Sequence, residues 1–206
     1  ALVRAMRAAR QNGGLTQSAA SQARPGCVTI MTVHRSKGLE FPVVFVAGTA
    51  RRFNNADTLS PVLFHRELGV GMTLRAPGGT SRYKTLPYAA LSQTIRTETL
   101  SEEMRILYVA LTRAQDALFI TLPLKDAAGA LKAPALYASA GMTGPEALQD
   151  FQSWSGWLLT AALRHPDSGA LWAKTDFLPS QGDSAAPLAI RVLDAPDALP
   201  EPEAPP

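Results

Sequence analysis

At 206 residues, 46% hydrophobic, 18% charged and 7% aromatic, the chain has the length of one ordinary domain or slightly more, with enough apolar material to bury a core. That balance excludes collagen-like, coiled-coil and disulfide-scaffold classes, and there is no apolar run of about 18 residues or more to cross a membrane. The net charge of +3 conceals an asymmetry, since residues 1–115 carry 15 Lys/Arg against 6 Asp/Glu while residues 116–206 carry 5 against 11. Such a basic first half either invites a polyanionic partner, nucleic acid or nucleotide phosphate, or merely decorates solvent-facing helices. The single cysteine, Cys27, can form no internal disulfide, and the three scattered histidines (His34, His65 and His165) do not make a structural zinc site. No metal-ligand set is expected. The N-terminus lacks the basic start, apolar stretch and cleavage site of a signal peptide. It also begins without Met, which points to a piece of something longer, and the expected compartment is the cytoplasm.

In chain order, residues 2–10 place Leu2, Met6 and Ala9 at helical spacing opposite Arg4, Arg7 and Arg10, and Asn12-Gly13-Gly14 ends that helix. Residues 15–25 read as a linker. Residues 27–33 (CVTIMTV) and 42–47 (PVVFVA) are two nearly continuous apolar runs of strand length, the pattern of a sheet covered on both faces, and favour an α/β architecture. Residues 68–74 read as a further strand and 76–79 as a turn. From about residue 86 to 115 the pattern is helical, with two helices expected to meet near residues 99–101. In the second, Met104, Leu107, Tyr108 and Leu111 form one apolar face, Ser101 is the expected N-cap, and Glu102 and Glu103 sit at the positive end of the dipole. Residues 117–122 return to strand, residues 125–145 read as an Ala/Gly-rich loop, and Trp154, Trp157, Leu158, Leu159, Ala162 and Leu163 mark one more amphipathic helix. Beyond about Ser180 the chain turns to Pro, Asp and Ala, a linker or tail.

Two segments concentrate chemistry. Residues 32–41 (TVHRSKGLEF) leave a buried strand with His34, Arg35, Lys37, Gly38 and Glu40 in close succession. Ser36 is expected to cap a short helical turn whose outward N–H groups, with Lys37 and Arg35, would stabilise phosphate. Glu40 only accepts hydrogen bonds, so it suits a hydroxyl such as a sugar's. A solvated loop with ordinary salt bridges would look similar. In residues 102–114 (EEMRILYVALTRA), Arg105 and Arg113 lie about two turns apart along a helix. Arg113 either partners the negative end of the helix dipole or presents a planar, permanently charged fork to a phosphate. A Ser36 or Cys27 nucleophile with His34 is a poor alternative, because no nucleophile elbow is present.

Together the two segments resemble motif V (residues 32–44) and motif VI (residues 102–114) of the UvrD/Rep/PcrA-like helicases of superfamily one. The resemblance is greatest to the AddA-type helicase–nucleases, through Arg52-Phe53-Asn54, Pro61-Val62-Leu63-Phe64-His65 and Glu67-Leu68-Gly69-Val70-Gly71. It covers about residues 1–122. It implies a second RecA-like helicase domain, mostly parallel sheet flanked by helices, at residues 25–123. This is preceded by a helix and linker (1–24) and followed by a helical extension (124–179) and a tail toward a nuclease domain (180–206). By the same resemblance His34, with Thr32 and Arg35, would lie along single-stranded DNA, Glu40 would touch the ATP ribose, and Lys37 and Gly38 would lie beside the triphosphate. Arg113 would reach the γ-phosphate as the catalytic residue. ATP and Mg²⁺ would be used by the full-length protein, with nothing tightly held by the fragment. The implied partners are DNA and a second helicase–nuclease chain of AddB type, with no membrane. No G-x-x-x-x-G-K-[ST] loop, helicase-type acidic pair or nuclease motif occurs in the chain, so those parts are expected outside it. The rival reading is a non-catalytic nucleic-acid-binding or partner-docking module of the same fold.

Overall fold

The computed structural model describes residues 27–76, 78–79, 81–142, 144–179 and 187–193. The helix expected over residues 2–10, the linker after it and most of the tail beyond residue 180 lie outside these. In chain order the elements are a 3-10 turn at Val33–Ser36, strands β1 (Phe41–Val46), β2 (Val62–His65), β3 (Gly69–Arg75) and β4 (Arg82–Lys84), helix α1 (Leu86–Leu111), strand β5 (Ala114–Ile120), and helices α2 (Ala127–Ser139), α3 (Pro145–Gln149), α4 (Trp154–Leu163) and α5 (Gly169–Trp172). Among the described residues no helix is long and apolar enough to cross a membrane.

The β-branched and aromatic runs of β1 and β5 pair in parallel, Phe41 opposite Ala114 and Val46 opposite Ile120, joined by a crossover that contains α1. Phe45 and Phe119 are register partners whose rings stack at 4.7 Å and 11°. The expected α/β class with a parallel sheet and flanking helices is what the chain forms. Two expectations about that sheet are corrected. Residues 27–32 are not a strand, and Val28 and Ile30 are 92% and 95% exposed. An apolar run becomes a strand only where a neighbour takes its backbone hydrogen bonds, and no described segment pairs with this one. Nor do the described residues cover the sheet on both faces, since Val43, Phe45 and Phe119 stand about half exposed or more.

A second sheet, β2-β3-β4, is antiparallel. Only β3 was legible in the sequence, because β2 and β4 are 4 and 3 residues long. Its inner face carries Leu63 against Tyr88, Leu91 and Ile95 of α1. Burying Leu63 and Leu91 stabilises this contact by roughly 1.5–3 kcal/mol each. Gly71 makes the close approach possible: a Cβ there would stand 2.7 Å from the backbone of Tyr88. Tyr88 is fixed further by its hydroxyl, whose single proton is shared between the carbonyls of Thr58 and Ser60, each 3.0 Å away.

Helix α1 is one helix of 26 residues, not two. Its N-cap is Thr85, whose hydroxyl accepts from the Tyr88 N–H and donates to the Met72 carbonyl. Ser101, expected as a cap, lies mid-helix with its hydroxyl on the Thr97 carbonyl, and Thr97 and Thr99 do the same one turn earlier. By bonding back to their own helix, the hydroxyls that suggested a break are accommodated without one. Of the expected apolar face, Leu107 is buried with Met104 and Leu111 packed beside it, but Tyr108 is 66% exposed.

Residues 125–145, read as a loop, hold α2 and the start of α3. Alanine favours helix more than any other residue, and Asp126 caps α2 by accepting from the Gly129 N–H. Pro134 sits inside α2, buried. Leu131, Ala135 and Ala138 of α2 pack on Leu159 and Leu163 of α4 and on Leu171 and Trp172. Tyr137 donates to the Asp150 carboxylate, and that hydrogen bond, more than burial, raises its phenol pKa above 10.0. The helical extension is seated on the carboxyl ends of the parallel strands through Thr49. Its buried hydroxyl donates to the Thr121 carbonyl, while its own carbonyl accepts from the Ser155 N–H.

Candidate functional site

Just before β1 the chain makes a 3-10 turn, Val33–Ser36, entered from an extended Thr32 whose carbonyl accepts from the N–H groups of Arg35 and Ser36. Ser36 was expected to open this turn. It closes it instead: the side chain is buried and donates to the Val33 carbonyl at 2.8 Å, and its own carbonyl accepts from Leu39. The N–H groups of Arg35, Ser36, Lys37 and Leu39 are therefore spent inside the turn, so the outward row of backbone donors expected there is not formed. What the turn presents is side chains. His34, Arg35 and Lys37 are exposed and enter none of the ion pairs among the described residues. Gly38 follows at φ +82°, a left-handed conformation that residues with a side chain rarely adopt, as the chain turns into β1.

The second segment lies directly against this turn. Helix α1 ends at Leu111, and Arg113 folds back over its last carbonyls. Its Nε donates to the Val109 carbonyl at 3.0 Å, Nη2 to the Thr112 hydroxyl at 3.1 Å and Nη1 to the Leu39 carbonyl at 2.9 Å. The two sequence readings of Arg113 are thus compatible. It satisfies a helix C-terminal carbonyl, as a dipole partner does, and it is immobilised beside the basic turn. Three of the five guanidinium N–H groups are engaged, which leaves two for a ligand. An arginine held in this way has little orientational freedom left to lose when an anion arrives.

Arg105 is not part of this arrangement. It pairs with Glu102 one turn back on exposed helix surface. Glu103 accepts from the Trp154 indole N–H at 3.0 Å, a structural link between α1 and α4. Two carboxylates expected to serve the helix dipole therefore have other work, because they lie mid-helix. Glu40 is exposed, and its Oε2 accepts from Gln115 Nε2 at 3.2 Å. Gln115 belongs to no motif and carries no signal in the sequence. Only the parallel register of β1 on β5, which cannot be read from one strand at a time, brings it to Glu40.

The turn and the arginine are 74 residues apart in the chain and bring together the exposed side chains of His34, Arg35 and Lys37, the half-buried Arg113, a glycine and a single carboxylate. A surface so composed suits a phosphorylated ligand. The family model described as "UvrD-like helicase C-terminal domain" matches residues 10–125. The chain is 41% identical over 171 residues to an ATP-dependent helicase/nuclease of Desulforamulus reducens, covering 81% of this chain and 14% of that protein. It is 43% identical over 146 residues to the protein of the same name from Geobacillus kaustophilus, covering 70% and 12%. With that of Bacillus cereus it shares 49% over 100 residues, 48% of this chain and 8% of the other. The chain thus spans about a seventh or less of the length of these relatives.

Proposed function

Because the chain belongs to the UvrD-like helicase C-terminal domain family, we propose that it is the second RecA-like segment of a longer AddA-type, ATP-dependent DNA helicase–nuclease. In this reading it supplies one side of an ATP site and part of a single-stranded DNA track. The observation that carries it is the guanidinium of Arg113, bound on three sides at the seam between motif VI and motif V with two N–H groups to spare. Arg113 stabilises charge on the γ-phosphate during transfer. Lys37 and Gly38 lie beside the triphosphate, the lysine as a mobile point charge and the glycine as backbone without a side chain to intrude. Glu40 accepts from a ribose hydroxyl. Thr32, His34 and Arg35, upstream on the same turn, lie along DNA phosphates. A shift of the turn that responds to nucleotide is then felt by DNA only a few residues away, the coupling a translocase needs.

The surface fits the nucleotide but is incomplete. It offers cations and hydroxyl acceptors, whereas the described residues contain no group of three or more His, Cys, Asp or Glu that would hold a metal ion. Mg²⁺, the phosphate-cradling loop and the nuclease centre belong to parts of the longer protein outside residues 25–123, in this reading, with residues 124–179 a helical extension and 180–206 a tail. The partners are DNA and a second helicase–nuclease chain of AddB type, and the compartment is cytoplasmic.

The test compares the 206-residue chain with the full-length protein that carries it. The chain alone is expected to hydrolyse no ATP above background, with or without single-stranded DNA, and the full-length protein to show DNA-stimulated turnover. DNA-stimulated turnover by the isolated chain would overturn the reading of a half-site, and its absence from the full-length protein would favour the docking module.

A further inference from the structure

Three consecutive residues where the chain passes from the basic turn into β1 are tied to the junction between α1 and β5. The Leu39 carbonyl accepts from Arg113 Nη1 at 2.9 Å, the Phe41 N–H donates to the Arg113 carbonyl at 2.9 Å, and Glu40 Oε2 accepts from Gln115 Nε2 at 3.2 Å. The first two bonds fix the backbone on either side of Glu40. The third holds its side chain, and among the described residues it is the only hydrogen bond or ion pair that Glu40 makes through its carboxylate. A glutamate on an exposed turn otherwise spreads over many rotamers, and a ligand that needs one of them must bear the cost of selecting it.

We propose that Gln115 is a positioning residue for Glu40, orienting its carboxylate toward the sugar hydroxyls of the bound nucleotide. The inference rests on the reading of Glu40 as the sugar contact. The chemistry of the pair suits the task. The carboxylate accepts through two oxygens, Gln115 takes one, and the other stays free for a hydroxyl donor. A lysine or arginine at position 115 would neutralise the carboxylate and compete with the sugar. A neutral amide orients it and leaves its charge in place. Gln115 also reaches Glu40 from β5, the strand that continues from Arg113, so the sugar contact and the phosphate contact are set by one stretch of backbone.

The experiment uses the full-length protein with saturating single-stranded DNA, and compares ATP with 2′,3′-dideoxy-ATP, which lacks both sugar hydroxyls. A net hydrogen bond of ordinary strength converts to a factor of about 2–10 in affinity. Gln115→Leu, similar in size but unable to donate, is expected to raise the KM for ATP by about that factor. It should leave kcat within about twofold and the KM for the dideoxy analogue unchanged, so that discrimination between the two narrows. Gln115→Glu, which sets a like charge against Glu40, should narrow it further. Glu40→Gln supplies the reference, and Gln115→Leu added to it should have no further effect on discrimination. If Glu40→Gln narrows discrimination and Gln115→Leu does not, the positioning role is overturned and the sugar reading stands. If Glu40→Gln leaves discrimination intact, the sugar reading falls and the inference with it. An equal rise in KM for both nucleotides on Gln115→Leu would show a general structural role and likewise overturn it.

Discussion

The guanidinium of Arg113 donates to the main-chain carbonyl of Leu39 at 2.9 Å across 74 residues of sequence. That side chain closes a helix and anchors the segment that carries His34, Arg35, Lys37 and Glu40, while the main-chain carbonyl of the same residue begins the strand pairing by accepting from the Phe41 N–H. Any ligand that draws Arg113 toward itself acts on that turn through a hydrogen bond, and any movement of the turn is felt at the guanidinium. The relationship gives structural content to the proposed coupling between nucleotide and DNA.

It also sharpens what a substitution at Arg113 should do. If the residue stabilises charge developing on the transferred phosphoryl group, Arg113→Ala in the full-length protein should lower kcat by roughly 10²–10⁵-fold, the upper end being that of arginine fingers generally. Lysine should restore little, since a point charge on a flexible stem reproduces neither the fork nor the three simultaneous bonds. Loss of those bonds should also destabilise the fold, by about 1–3 kcal/mol given that the site is only partly buried. Steady-state ATPase and thermal melting on the same variant separate the two effects. A lowered melting temperature with near-normal kcat would make Arg113 a structural pin and remove the chief support for a nucleotide site.

The motif residues and both strands of the parallel pair were legible in the sequence because each is a local signal: a β-rich run, or a dense cluster of basic residues with glycine. What was not legible depended on partners. Residues 27–33 have the composition of a strand, but strand formation needs a neighbour to take its hydrogen bonds. Ser101 has the identity of an N-cap, yet its hydroxyl turns back to Thr97 and the helix runs on. Ser36 looked like the start of a turn and is its end, because its hydroxyl reaches back to Val33. Short hydroxyl side chains serve equally well at either end of a turn, and only the backbone around them decides which. Gln115 carries no signal of its own and gains a role only from the register of two strands.

The tight packing of helix on sheet gives a prediction independent of function. Helix α1 lies so near β3 that a Cβ on Gly71 would stand 2.7 Å from the Tyr88 backbone and 2.9 Å from Leu91. Backbone on one side cannot give way cheaply. Gly71→Ala should therefore force β3 and α1 apart and destabilise the chain by about 1–3 kcal/mol, the usual cost of overpacking. Gly78→Ala makes a useful comparison: a Cβ there meets nothing within 4 Å, and only its positive φ of +71° is strained. Denaturant unfolding of the two variants is expected to show the larger loss at Gly71. A Gly71→Ala variant as stable as the parent would mean that the sheet and helix are not packed as described.

His34 separates the DNA reading from the bland alternative of a solvated basic loop. The side chain is exposed, follows the extended Thr32 and enters no ion pair among the described residues, so removing it breaks no internal contact of that kind. His34→Ala should leave the melting temperature within about a degree, as surface substitutions generally do. If the imidazole lies on a phosphate, the same variant of the full-length protein should bind single strands more weakly and to the same degree whatever their sequence, because phosphate contacts position without reading bases. A neutral imidazole would lose one hydrogen bond and leave the salt slope alone. A protonated one would lose a counterion-displacing charge and flatten the slope of log affinity against log salt by about 0.7 for a single strand. Salt titrations of the parent and the variant, run on several single-strand sequences, distinguish the two cases. Unchanged affinity would remove His34 from the DNA track, and base-dependent weakening would make it a reader of sequence rather than of backbone.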